Sequence, residues 1–139
     1  MSLAHGLMKL VPMKLLGSVV VVLAFYATRA RIDLNGTWIA TVPYEFSSPQ
    51  KETFVFEHHG ATLRGAASFL GAERLIVDGK ADGDQVSFLL KTTEQAGGEK
   101  LEAVHYYRGT VAGDEIAFVM QTEGGFSVHP PIRFSARRR

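Results

Sequence analysis

From Gly36 onward, short apolar and aromatic runs alternate with Gly, Asp and Pro at hairpin spacing, and one hairpin is written twice. Gly79-Lys-Ala-Asp-Gly83-Asp84-Gln-Val86-Ser-Phe88 reappears as Gly109-Thr-Val-Ala-Gly113-Asp114-Glu-Ile116-Ala-Phe118. The repetition has a physical reason: a tight hairpin needs a residue with positive φ, which Gly83 and Gly113 supply without steric cost, while Asp84 and Asp114 can bond the turn backbone. His58-His59-Gly60-Ala61 reads as a third such turn. No stretch keeps a helical period, so the reading is all-β.

Eight strands are expected, over residues 37–42, 52–58, 62–68, 74–78, 85–92, 101–111, 115–123 and 128–137. Joined by hairpins they make an antiparallel up-and-down meander. Rolling that sheet shut into an eight-stranded barrel removes both exposed edges, and an open two-layer sheet is the alternative. Because the chain reverses at each turn, alternate connections share an end. The tight turns at 58–61, 81–84 and 112–114 mark a closed end; the longer connections 43–50, 69–73, 93–100 and 124–129 mark a mouth. Those mouth segments carry Tyr44, Phe46, Phe69, Leu70 and Phe126, more apolar surface than loops usually expose. They read as an entrance for an apolar ligand, a docking patch for a protein partner at Tyr44, Phe46, Phe69 and Phe126, or a simple plug.

The first 30 residues differ in kind. Met1 to Lys14 carry only positive charge, the next 13 residues (LLGSVVVVLAFYA) carry none, and the small residues Ala27, Thr28 and Ala30 follow. That order predicts a secretory signal peptide cut near Ala30, or, as alternatives, an uncleaved anchor or an apolar N-terminal helix. The run is shorter than the roughly 20 residues a spanning helix needs. The organisation expected is therefore a signal over 1–30, a barrel domain over 31–139, and a periplasmic or secreted location, with membrane attachment only through an uncleaved signal. Residues 1–30 hold Lys9, Lys14 and Arg29 and no acid, leaving 12 basic against 14 acidic side chains beyond them. This mild, interspersed balance argues against nucleic acid as a partner. There is no cysteine, so no disulfide framework holds the domain and stability must come from packing.

Gly36-Thr37-Trp38, opening the first strand, resembles the Gly-x-Trp signature of lipocalins and the wider calycin group, and the Gly-Asp hairpins are similar to those of small secreted bacterial barrels. The resemblance covers about residues 33–137 and implies a lipocalin-like barrel. It also implies that Trp38 closes the base under a basic residue of the last strand, for which Arg137 is the best match. The short turns argue against a large ligand cavity.

With Trp38 and Phe88 inside, period-two alternation also sends Ala40, Phe54, Phe56, Leu63, Val86, Leu90, Leu101, Ala103, His105, Tyr107, Ile116, Phe118, Met120, Ile132 and Phe134 inward. His105 and Tyr107 are the polar exceptions, with Thr92 and Thr122 toward the mouth. An apolar wall with a few convergent polar groups suits a small, mostly apolar ligand, so the candidate binding residues are Tyr44, Phe54, Phe56, Leu90, His105, Tyr107, Phe118 and Met120. Glu52 has the parity of Phe54 but is expected to be solvated at its strand start, which leaves no carboxylate beside His105 and Tyr107. A non-catalytic binder outside the cytoplasm is therefore the first reading. An inhibitor-like or glycan- or enzyme-associated interaction module is the second, and a small isomerase or cyclase using His105 and Tyr107 is the third. Adjacent strand residues such as His58 and His59 point to opposite faces and cannot readily share a metal; no metal and no cofactor are expected.

Overall fold

Buried, largely apolar residues alternate with more exposed ones along the long strands, and that pattern is buried here by wrapping the sheet around itself. The computed structural model describes residues 32–139; the expected signal over 1–30 lies outside the described residues. Nine strands run in chain order: β1 Gly36–Val42, β2 Gln50–His59, β3 Thr62–Phe69, β4 Ala72–Leu75, β5 Val77–Asp82, β6 Gln85–Ala96, β7 Glu99–Ala112, β8 Glu115–Gly124 and β9 Ile132–Arg138. All pairings are antiparallel. The sheet runs β2-β1-β9-β8-β7-β6-β5-β3 and returns from β3 to β2, so it closes.

The closed barrel has eight staves, because β4 and β5 are two pieces of the fourth. Ala66 opposes Leu75, whereas Thr62 opposes Lys80, one residue out of step, and the same slip recurs against β6 between Val77 and Lys80. One extra residue has been inserted, a β-bulge with Asp78 at φ 52°. Fourth-stave residues thus extend over 72–82 rather than the expected 74–78.

The turns sort by end. Gly60, Gly83 and Gly113 open two-residue turns at the closed end with φ of 60°, 57° and 60°, the first-position glycine of a type II′ hairpin. At the mouth, two expected long connections are also tight. Residues 69–73 contain the two-residue turn Leu70-Gly71, and 93–100 contain Gly97-Gly98, with positive φ at both positions in each case, as type I′ requires. β6 and β7 therefore continue past the rim as a ribbon. Only residues 43–49 and 125–131 are true mouth loops. β9 starts at Ile132 instead of 128 because Pro130 and Pro131 have no N–H to give to a ladder, and Val128 is 97% exposed.

The inward set forms the core, apart from Leu101, which is 42% exposed on the projecting ribbon, where no opposite wall faces it. Phe54 sits at the centre. Its ring lies 5.6 Å from Phe118, 6.1 Å from Tyr107 and Phe134, and 6.2 Å from Phe56, while Phe88 stacks on Tyr107 at 4.6 Å. Gly109 makes room for this cluster: a Cβ there would sit 2.6 Å from Ile116 and 2.8 Å from the Phe118 ring. The lower half of the barrel is consequently solid.

The closed end corrects one residue. Arg138, not Arg137, covers Trp38, with its guanidinium carbon 4.3 Å from the ring centroid. It donates to Asp33 O at 2.6 Å, Asn35 O at 2.9 Å and the Asp114 carboxylate at 3.1 Å, while Trp38 Nε1 donates to Leu34 O at 3.0 Å. Arg137 points outward, 3.6 Å from Glu115 on the surface. Parity is the reason: Ile132, Phe134, Ala136 and Arg138 share the inner face, and Arg137 falls between them.

Candidate functional site

The aromatic packing stops below the rim, where the inward positions change to Thr92, His105, Met120 and Thr122. Above them lies an open-topped cavity of about 600 Å³, walled by these residues together with Phe46, Phe69, Phe126, Ile132 and the polar rim residues Glu45, Arg74, Glu94 and His129. A wider depression of about 980 Å³ follows the bulge between β3 and β5. None of the buried polar side chains Glu52, Thr92 and His105 lines that depression, so the mouth cavity is the candidate site.

His105 projects from β7 between β6 and β8, opposite Leu90 and Thr122. One ring nitrogen, Nε2, lies 2.8 Å from Thr92 Oγ1, and Nδ1 lies 2.8 Å from Thr122 Oγ1. The imidazole also stacks on Phe69, with centroids 4.1 Å apart. Burial lowers its pKa to about 4, with Glu94 pulling it up and His129 and Arg74 pushing it down, so the ring is neutral near pH 7. Both nitrogens of His105 thus bond to hydroxyls and neither to a carboxylate.

The buried carboxyl group is elsewhere, and it corrects the expectation of a solvated Glu52. Glu52 is 0% exposed; one oxygen accepts from Tyr44 OH at 2.6 Å and the other from Gly71 N at 2.9 Å. Tyr44, expected on an exposed loop, therefore folds inward, and burial together with the Glu52 carboxyl keeps its phenol well above the ordinary range. The same carboxyl holds the turn in which Leu70 takes φ 51°, a conformation unfavourable for a branched side chain. Phe69, at the base of that turn, packs edge-on to Tyr44 at 5.2 Å and face-on to His105. Glu52 thus braces the wall against which the cavity floor is set.

A second carboxylate fastens the opposite loop. Glu94 accepts from Phe126 N at 2.8 Å and lies 3.6 Å from His129 Nε2. This ties residues 125–131 to the β6–β7 ribbon and brings Phe126 to the cavity rim, while His129 packs edge-on to Phe46 at 6.0 Å.

Of the expected binding residues, His105 and Met120 line the cavity. Tyr44 lies behind its wall on Glu52, and Phe54, Phe56, Leu90, Tyr107 and Phe118 belong to the packed core beneath. Tyr107 does not join His105 as a floor group: it is stacked between rings, and burial raises its pKa well above the phenol range. Phe46 and Phe126 are exposed, while Phe69 is buried. Sequence reasoning missed Arg74, Glu94 and His129 as wall residues and Glu52 as the brace. The parity of Glu52 with Phe54 was the available signal.

At the closed end, His58 has both nitrogens engaged, Nδ1 accepting from Leu34 N at 3.3 Å and Nε2 donating to Gly60 O at 2.8 Å. Among the described residues no three His, Asp or Glu side chains converge as metal ligands. Comparison with protein families, curated proteins and solved structures finds no match to this chain.

Proposed function

We propose that the chain is an exported, lipocalin-like, non-catalytic barrel that holds one small, mostly apolar molecule in the mouth cavity. The observation that carries this reading is where the core ends. A solid aromatic lower half gives way to an open space of about 600 Å³, inside the range of about 300–1,000 Å³ typical of small-molecule sites. Phe46, Phe69, Met120, Phe126 and Ile132 give its walls a large apolar share beside the polar rim groups, and its floor polar groups are few, so burial supplies affinity and hydrogen bonds supply orientation. The hydroxyl partners of His105 and the fully engaged Glu52 favour binding over acid–base chemistry. Export rests on the basic-then-apolar order of residues 1–30.

Titration of the full chain with N-phenyl-1-naphthylamine, whose emission rises in apolar surroundings, tests the reading. One saturable site is expected, weakened at least about tenfold by Ala72→Trp, which fills the cavity from its wall. No uptake, or equal uptake by the variant, overturns it. The exposed Phe46, Phe126 and Val128 around the mouth support a second reading, a protein-docking rim, which predicts no probe uptake.

A further inference from the structure

Resting on the ligand-binding reading above, we propose that the Thr92–His105–Thr122 chain on the cavity floor is a hydrogen-bonding subsite for an uncharged ligand that carries a hydroxyl or carbonyl group.

The argument starts from proton bookkeeping. A neutral imidazole has one N–H and one bare nitrogen, and here each nitrogen faces one threonine hydroxyl at 2.8 Å. The hydroxyl that accepts the ring N–H keeps its own proton for another partner. The hydroxyl that donates to the bare nitrogen has no proton left, but its oxygen can still accept. In either tautomer the floor therefore offers one donor and one acceptor toward the cavity, and exchanging tautomers exchanges which threonine plays which part. A ligand carbonyl meets the spare proton; a ligand hydroxyl meets either group.

Charge is disfavoured at the same place. His105 is buried against Phe69 at 4.1 Å and has hydroxyl partners on both sides, so the floor holds no cation to balance a carboxylate head. Glu52 is engaged by Tyr44 and Gly71, and Glu94 by Phe126 N and His129, so among these carboxyl groups an ammonium head at the floor finds no unengaged counter-ion, and Glu45 lies at the rim. Two hydroxyls do not replace the hydration of an ion, and a buried unpaired charge costs far more than a neutral polar group. Two exposed wall residues could reverse this order, Arg74 for a carboxylate and Glu45 for an ammonium, and the test is built around them.

Displacement of N-phenyl-1-naphthylamine from the full chain by 1-octanol, 2-octanone, octanoate and octylammonium compares the head groups on one chain length. Octanol and octanone are expected to compete at concentrations at least about fivefold below the two ions, in line with one net hydrogen bond. The Thr92→Val/Thr122→Val variant is expected to lose that margin, read as the ratio between neutral and ionic competitors within the variant; Thr92→Ser/Thr122→Ser is expected to keep it. Preference for octanoate, which assigns the head group to Arg74, or for octylammonium overturns the inference while leaving the ligand-binding reading intact. A margin that survives the valine variant also overturns it. Failure of the parent to take up the probe at all overturns the ligand-binding reading itself.

Discussion

The two halves of the barrel share strands, parity and closure, yet one is solid and the other open. Below, the inward positions of β2, β6, β7, β8 and β9 are Phe54, Phe56, Phe88, Tyr107, Phe118 and Phe134, and their rings fill the cross-section. Above, β6, β7 and β8 present Thr92, His105, Met120 and Thr122, and space remains. An eight-stranded barrel is near the width at which side chains just fill it. Replacing a ring with a smaller side chain therefore decides locally whether a layer becomes core or cavity. Separate devices finish the ends: Arg138 on Trp38 at one, the Glu52 and Glu94 carboxyl groups holding a turn and a loop at the other.

The contrast breaks most directly at Phe54. Phe54→Ala is expected to cost about 3–5 kcal/mol in urea unfolding, because a rigid surround of rings cannot collapse into the space left. A loss under about 1 kcal/mol would mean that the lower half is not close-packed.

Acid probes the upper half. The His105 pKa is about 4 when folded against 6.5 for the free side chain, so between these values the unfolded chain binds the extra proton and stability falls as the pH drops. The contribution is complete above pH 6.5 and is lost on the way down to about pH 4, on the order of 2–3 kcal/mol. His105→Phe is expected to flatten that part of the pH–stability curve, measured by urea unfolding at pH 7 and 4.5. An unchanged slope in the variant would place the ring in water.

The smallest effect separates two neighbouring arginines. Arg138→Ala is expected to cost about 1–2 kcal/mol through the lost cation–π contact and charge-assisted bonds, whereas Arg137→Ala removes only a surface pair and stays within about 0.5 kcal/mol. Equal losses in thermal or urea unfolding would undo the assignment of the latch to Arg138.

These residues also show what could be read in advance. The inward positions Ala40 to Phe134 follow from alternation alone, since a strand buried on one face has no other way to place them. The same alternation, carried from Ile132 and Phe134 to the end of β9, selects Arg138; the resemblance-based choice of Arg137 departed from it. Glu52 was assigned to solvent because it stood at the expected start of its strand, whereas β2 begins at Gln50. Its partners, Tyr44 OH and Gly71 N, come from a loop and a turn whose meeting is not encoded in local pattern. The binding residues were overextended for a similar reason: parity marks which side chains face inward, but not where along the barrel axis the rings stop filling it.

The order of hairpins, the inner face of each strand and the need for packing without disulfides were determined by local chemistry: period two, glycine at positive φ and the absence of cysteine. The bulge in the fourth stave, the depth of the cavity and the hydroxyl partners of His105 were decided only when distant strands met. Each depends on register and on the volume left between opposite walls, quantities that exist only once the sheet has closed.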